Sequence, residues 1–362
     1  MVRKGISALS ILALALLCLA VARAQYQGPG NGDTPKGKWS KAAGFPEPEE
    51  ELYGITVNGK MYVLGGFGMN PFGKPPGLVY EYDPTSDKWT KKKNMPLPVH
   101  HQAMATLNGK IYMFGGYLYY PLPGGGQGWQ PVDNAWAYDP ATDTWKALAP
   151  VPDKRGAGLA ETVNGKMYFI GGATMNPGSK EPAVFPNRAA RSVGTNDMYD
   201  PATDKWESRS PMPTARNHAF AGAVNGKIYV IGGRIGSPFI TVAQNVGVVE
   251  EYDPATDQWG APRRPMPTPR SGGGWGTHGG RIYVAGGEQQ TRESTPAFRA
   301  LEAYEPATDT WSILPSMPYP RHGVAGAFIG NDFHLVSGKV TSSGAPDTKL
   351  ETSQHDVFEV QD

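Results

Sequence analysis

The sequence predicts an all-β fold: a six-bladed β-propeller whose last blade is closed by the N-terminal strand. Three observations predict it. A run of β-forming residues ending in two glycines recurs along the chain. A Tyr-Asp-Pro or Tyr-Glu-Pro turn and then a tryptophan follow each run, except in the last repeat. An unattached Trp39 stands ahead of the first repeat.

Taken in chain order, the first element is a leader. Arg3 and Lys4 precede an apolar run from Ile6 to Ala20, and Ala22-Arg23-Ala24 supplies a small-x-small cleavage site. Residues 1–24 therefore read as a signal peptide, residues 25–36 as a flexible N-terminal segment and residues 37–362 as the propeller. The apolar run is short for a membrane span, and no later stretch is longer. Cys18 is preceded by Leu17, where a lipoprotein signal needs a small residue, so a lipid anchor is not expected. Cys18 is the only cysteine and leaves with the leader. The expected location is secreted or periplasmic, without disulfides, in a domain large enough to be held by its core. Losing Arg3, Lys4 and Arg23 takes the 34 basic residues below the 33 acidic ones. A near-neutral chain lacks the electrostatic footprint for nucleic acid, and no membrane insertion is expected.

The repeats come next. Met61 to Gly66, Ile111 to Gly116, Met167 to Gly172, Ile228 to Gly233 and Ile282 to Gly287 are equivalent, with Phe333 to Gly338 a weaker sixth copy. Each follows a turn dipeptide, Asn-Gly in the first four, as a two-residue hairpin prefers. Tyr82-Asp83-Pro84 and its equivalents at Tyr138, Tyr199, Tyr252 and Tyr304 (Glu305 replaces Asp in the last) lead to Trp89, Trp145, Trp206, Trp259 and Trp311. Proline pre-sets the turn, and aspartate bonds its own backbone. Each repeat thus reads as strands a to d, with the double glycine ending b, tyrosine ending c and tryptophan on d. The sixth repeat ends near Phe358 without strand d, so Lys38-Trp39-Ser40 is expected to supply it. Such a ring has no free seam.

Gly-Gly, Tyr and Trp in this order, at a period near 50 residues, resemble the signature of kelch repeats from Trp39 onward. The resemblance implies one four-stranded blade per repeat around a central channel. Tyrosine and tryptophan then belong to the core between blades.

The short a–b and c–d turns share one face. The opposite face carries long b–c loops, Phe67 to Gly77, Tyr117 to Asn134, Ala173 to Asn196, Arg234 to Gly247 and Glu288 to Arg299. Binding residues concentrate on such loops, and Tyr117, Tyr119, Tyr120, Gln127, Trp129 and Gln130 suit the purpose. The d–a loops share that face. Aligned on a Met-Pro-like pair, one mouth position reads Glu49, Val99, Arg155, Arg216, Arg270 and Arg321, with Glu50, Glu51, His100, His101, His218 and His322 beside it. Four arginines and four histidines at one channel mouth point to carboxylate or phosphate recognition. Arginines tying backbone carbonyls and neighbouring acids within each repeat are the competing reading. Arg270-Ser271-Gly272-Gly273 also resembles the segment with which kelch domains of ubiquitin-ligase adaptors bind acidic peptides.

Three function classes follow. A copper radical oxidase of the galactose oxidase type is excluded, because its cross-linked cysteine has no counterpart in the mature chain. A sugar epimerase or mutarotase is the alternative. The N-acetylneuraminate epimerase family is similar in size, export and fold, and its Glu-and-Arg acid–base pair resembles Glu288 with Arg292. A non-catalytic binding propeller needs no special residue. Asp347, Glu351 and His355 depart from the acidic-acidic-His order of plant kelch specifier proteins, so no metal site is expected. No phosphate loop or zinc motif implies a cofactor. The expected function is an exported binding protein with an anion-accepting mouth, its partner a small anionic ligand, a glycan or an extracellular protein.

Overall fold

The computed structural model describes residues 36–67, 74–121, 127–186, 190–290, 294–343 and 350–361. The leader, Arg292 and Asp347 lie outside these. Six four-stranded antiparallel sheets form six blades. The first blade runs Leu52–Val57, Lys60–Gly65, Leu78–Asp83 and Lys88–Lys91. The inner strands of successive blades lie side by side, and that of the sixth, Ala325–Ile329, lies against that of the first. The ring is therefore closed. No α-helix occurs among the described residues, and none there is long and apolar enough to cross a membrane.

Ring closure takes the expected form. Lys36–Lys41 pairs antiparallel with His355–Gln361, Trp39 facing Phe358. The two rings are 5.0 Å apart, and Trp39 Nε1 donates to the Pro315 carbonyl of the fifth blade at 2.9 Å.

The repeated residues set the spacing between blades. Asn58 and Gly59 both take positive φ, as a tight hairpin requires, and this recurs in the next four blades. The second glycine of the double-glycine pair faces a different constraint. A Cβ on Gly172 would lie 2.7 Å from the Gly156 carbonyl. Bare backbone there lets Gly172 N–H reach the Arg216 carbonyl of the next blade at 3.0 Å. Gly116, Gly233 and Gly287 repeat the bond to Arg155, Arg270 and Arg321, and Gly338 carries it across the seam to Glu49.

Tyrosine, tryptophan and the turn aspartate form a second set of ties. In the fourth blade Asp257 accepts from Tyr252 Oη at 2.7 Å and from the Ser210 amide of the third at 2.8 Å. Trp259 Nε1 donates to the Ser210 carbonyl at 2.9 Å. Asp257 also holds a left-handed φ of 56°. Asp257→Ala removes the Oδ1 that accepts both bonds and places alanine in a strained conformation, and is expected to cost about 1–3 kcal/mol. Urea denaturation measures this. Asn, which keeps an acceptor oxygen and tolerates left-handed backbone, should lose less.

Candidate functional site

The d–a loops and the starts of the b–c loops meet at one end of the axis. Two positions per blade build this mouth. The residue after the double glycine is Phe67, Tyr117, Ala173, Arg234, Glu288 and Lys339 in blades one to six. In blades two to six it pairs by a backbone bridge with the residue after the aligned Val or Arg: His100 with Tyr117, Gly156 with Ala173, Asn217 with Arg234, Ser271 with Glu288 and His322 with Lys339. The mouth is thus aromatic on one side and charged on the other.

The four aligned arginines do not converge there. Each is at most 1% exposed and turns into its own blade. Arg155 meets Asp197 at 2.8 Å, Arg270 meets Glu302 at 2.5 Å, Arg321 meets Asp356 at 2.6 Å, and Arg216 bonds Glu250. Most of their remaining donors reach strand b and loop carbonyls, although Nε of Arg216 and of Arg321 is left without a partner among the described residues. Arg270, for example, donates to Gly286, Val284 and Thr268 at 2.7, 2.8 and 2.9 Å. The expectation of a cationic ring facing the axis is corrected: each arginine is buried against an acid of its own blade and donates to at least two carbonyls there, so its charge is answered within the blade and not at the channel.

The histidines, by contrast, are brought together. His101 and His218 have ring centres 4.6 Å apart, and His101 shares a short Nδ1–Nδ1 contact with His100. His218 accepts at Nε2 from Arg234 at 2.8 Å and donates from Nδ1 to Asn217 at 2.5 Å. Burial, with Arg234 alongside, pushes His218 well below the usual imidazole range, and burial does the same to His100. His322 behaves oppositely. Its Nε2 lies 3.1 Å from Glu50, 3.7 Å from Glu288 and 3.8 Å from Glu51. Burial alone would lower it, but these carboxylates, Glu288 foremost, raise it to about 9.

Glu288 is paired, though with Arg234, whose Nη1 is 2.6 Å from Oε1. Its Oε2 accepts from Ser342 Oγ and the Ser343 amide at 2.8 Å and from Ser343 Oγ at 3.0 Å. Burial opposes ionisation, yet His322, Arg234 and the Ser343 amide together hold the carboxyl at about 2. Lys339 Nζ stands 4.0 Å from Glu50. Arg234 and Lys339 escaped the alignment on Met-Pro, whereas aligning on the double glycine exposes them. His101 Nε2, His322 Nε2 and Glu50 Oε2 are buried without a well-directed hydrogen bond, despite charged neighbours at 3.1–3.2 Å.

An aromatic roof covers the histidine side. The loop after the second blade's double glycine forms a hairpin, Tyr117–Pro121 with Gln127–Pro131. It brings Trp129 to 4.7 Å from His101 and 4.1 Å from Phe239. Phe67 closes on His100 at 4.8 Å.

Glu51, His101 and His218 offer metal-type donors, with ligand atoms all within 4.8 Å of one another. The donor chemistry suits a borderline dication, but Arg234 already puts a positive charge against His218 Nε2. The cluster therefore fits a metal poorly.

The His322 ion pairs carry a pH signature. An imidazole raised from 6.5 to about 9 on folding adds stability that is complete below about pH 6.5 and is lost as pH rises through about 9. His322→Gln should accordingly lose most at pH 6, and its deficit should narrow as pH is raised to 9. Chemical denaturation across that range measures it.

Comparison with known proteins places this architecture. The Kelch motif matches residues 55–96, 98–152, 215–259 and 269–318. Kelch-like protein terF of Aspergillus terreus is 29% identical over 62% of this chain and 47% of its own length. Human Kelch repeat and BTB domain-containing protein 12 is 30% identical over 49% of this chain and 29% of its own length. The chain thus spans less than half the length of these curated relatives. The solved structure of YjhT aligns with a TM-score of 0.68 at 20% identity, covering 89% of this chain and all of that one, a likeness of fold. Motif, repeats and closed ring agree: the chain belongs to the kelch-repeat β-propeller family.

Proposed function

We propose that this kelch protein is an exported binding propeller whose mouth takes a small acidic sugar or a similar hydroxyl-rich anion. One observation carries the reading. Polar side chains from five blades meet at the axis, with incompletely used hydrogen-bonding atoms on Glu50, His101 and His322, directly beside the rings of Phe67, Trp129 and Phe239. Rings beside convergent polar groups are what a sugar needs to stack and be held. Arg234, Lys339 and His322 are the cations near the axis, and they replace the four blade arginines as the groups that answer a carboxylate. Access requires the aromatic roof to lift. A glycan or acidic protein segment offers the same chemistry.

Thermal shift tests the reading, with glucuronate, galacturonate and N-acetylneuraminate as probes and glucose as control. A ligand at about 100 times its Kd stabilises by roughly 2.7 kcal/mol. Acidic sugars should raise Tm, glucose should not, and Lys339→Met should remove most of the shift. No shift with any acidic sugar, or the same shift with glucose, overturns it. Export is tested by the mass of the mature protein, expected to begin at Gln25.

A sugar epimerase is the second reading, favoured by His101, whose Nε2 lies 3.2 Å from Glu51 without a directed hydrogen bond. Glu288, held ionised by four donors, suits holding a substrate cation or hydroxyl better than shuttling a proton. Epimerisation followed by proton NMR, abolished in His101→Gln, would establish the enzyme over the binder.

A further inference from the structure

The far end of the axis holds a chamber unrelated to the mouth. It has a volume of about 330 Å³ and is lined by the inner strands of all six blades. Small residues line much of it, and hydroxyls come from Thr56, Thr106, Thr162 and Thr277. Toward the mouth the axis narrows to about 20 Å³, room for about one water. Tyr53 and Trp275 stand at this neck, edge to face with centres 6.2 Å apart. Glu51 of the mouth lines the same neck from the other side.

A single carboxylate, Glu161 of the third blade, lines the chamber, and no Lys, Arg or His is among the described lining residues. Glu161 stands opposite Tyr168 on the neighbouring strand. The Ala223 amide favours its ionised form, but burial outweighs this and raises the carboxyl to about 7. A negative charge in a confined space is costly unless a positive partner arrives. Each buried arginine of the blades has such a partner, and Glu161 has none of that kind. Aromatic rings and a lone carboxylate lining one chamber favour one class of partner. A small alkylammonium finds a counter-charge in the carboxylate and cation–π contact with rings. A bare metal ion would want several oxygen ligands, which one carboxylate and scattered hydroxyls do not supply.

We propose that this chamber is a second ligand site, selective for a small organic cation that pairs with Glu161 and packs against Trp275 and Tyr53.

Titration calorimetry on the full chain tests it, with choline, tetramethylammonium and butylammonium as probes and sodium and magnesium chloride as controls at matched ionic strength. At least one alkylammonium should bind at millimolar concentration or tighter, and the salts should give no saturable heat. Glu161→Gln should weaken that binding by about tenfold or more, equivalent to about 1.4 kcal/mol. Circular dichroism first establishes that the variant is folded. Glu161→Asp keeps the charge but draws it back, and should give an intermediate loss. Trp275→Leu should weaken a quaternary ammonium more than butylammonium. Equal binding by the parent and Glu161→Gln, or no saturable heat with any of the three amines, overturns the proposal. So does a magnesium response that Glu161→Gln abolishes, since that would make the site a metal site.

Discussion

Arg270→Ala is expected to destabilise the propeller by about 3–5 kcal/mol, because it strands Glu302, 2% exposed, without a counter-charge. The Gly286 and Val284 carbonyls lose their donors in the same step. Removing both charges should be far milder. An Arg270→Met, Glu302→Leu double variant leaves no buried ion, and replacing such a pair with apolar residues is often neutral. The double-mutant cycle is read by urea denaturation, with a coupling of on the order of 2 kcal/mol expected. The result also separates two views of the repeat arginines. If Arg270→Ala keeps its stability and instead loses an acidic ligand, the arginine belongs to the mouth and its placement as a blade tie is wrong.

Deleting the chain through Lys41 should cost on the order of 5 kcal/mol, counting six paired residues at about 1 kcal/mol per backbone bond. Phe358 is uncovered, and the His355–Gln361 strand becomes an open edge. A protein starting at Ala42 should therefore melt well below one starting at Gln25 and aggregate on heating. Adding a peptide of residues 36–41 in excess should restore part of the loss. Identical melting would show that the seam is held by something other than this strand.

Much of the architecture was legible because the ties between blades use residues that recur. Tyrosine, the turn aspartate and tryptophan make the same bonds in successive blades, so a pattern in sequence is a pattern in space. The arginine ties were legible too, by a comparison within the chain. Asp197, Glu250, Glu302 and Asp356 stand two residues before the aromatic residue ending strand c. Blades one and two have Tyr80 and Trp136 there, and these same blades have Glu49 and Val99 in place of arginine. Arginine and acid occur together or not at all, which is the mark of an internal pair. The mouth was less legible. Glu288 meets Arg234 of one neighbouring blade and His322 of the other, so no alignment of repeats reveals the partners. The Trp129 roof depends on a hairpin that the other blades do not copy. Arg292, expected as the partner of Glu288, lies outside the described residues, and among those described Arg234 is the arginine paired with Glu288.

The register that sets Lys36 opposite Gln361 has a consequence for how the gene is arranged. In five blades all four strands are contiguous in sequence, and only the sixth is divided. A short turn joining Gln361 to Lys36 would make that blade contiguous as well, and the break could then be moved to any exposed turn. The protein is thus a candidate for circular permutation, in which ring closure becomes a local hairpin and not a contact between distant segments. The start point of the ring is set by the order of the coding sequence, while the blades themselves form a cycle without a preferred origin.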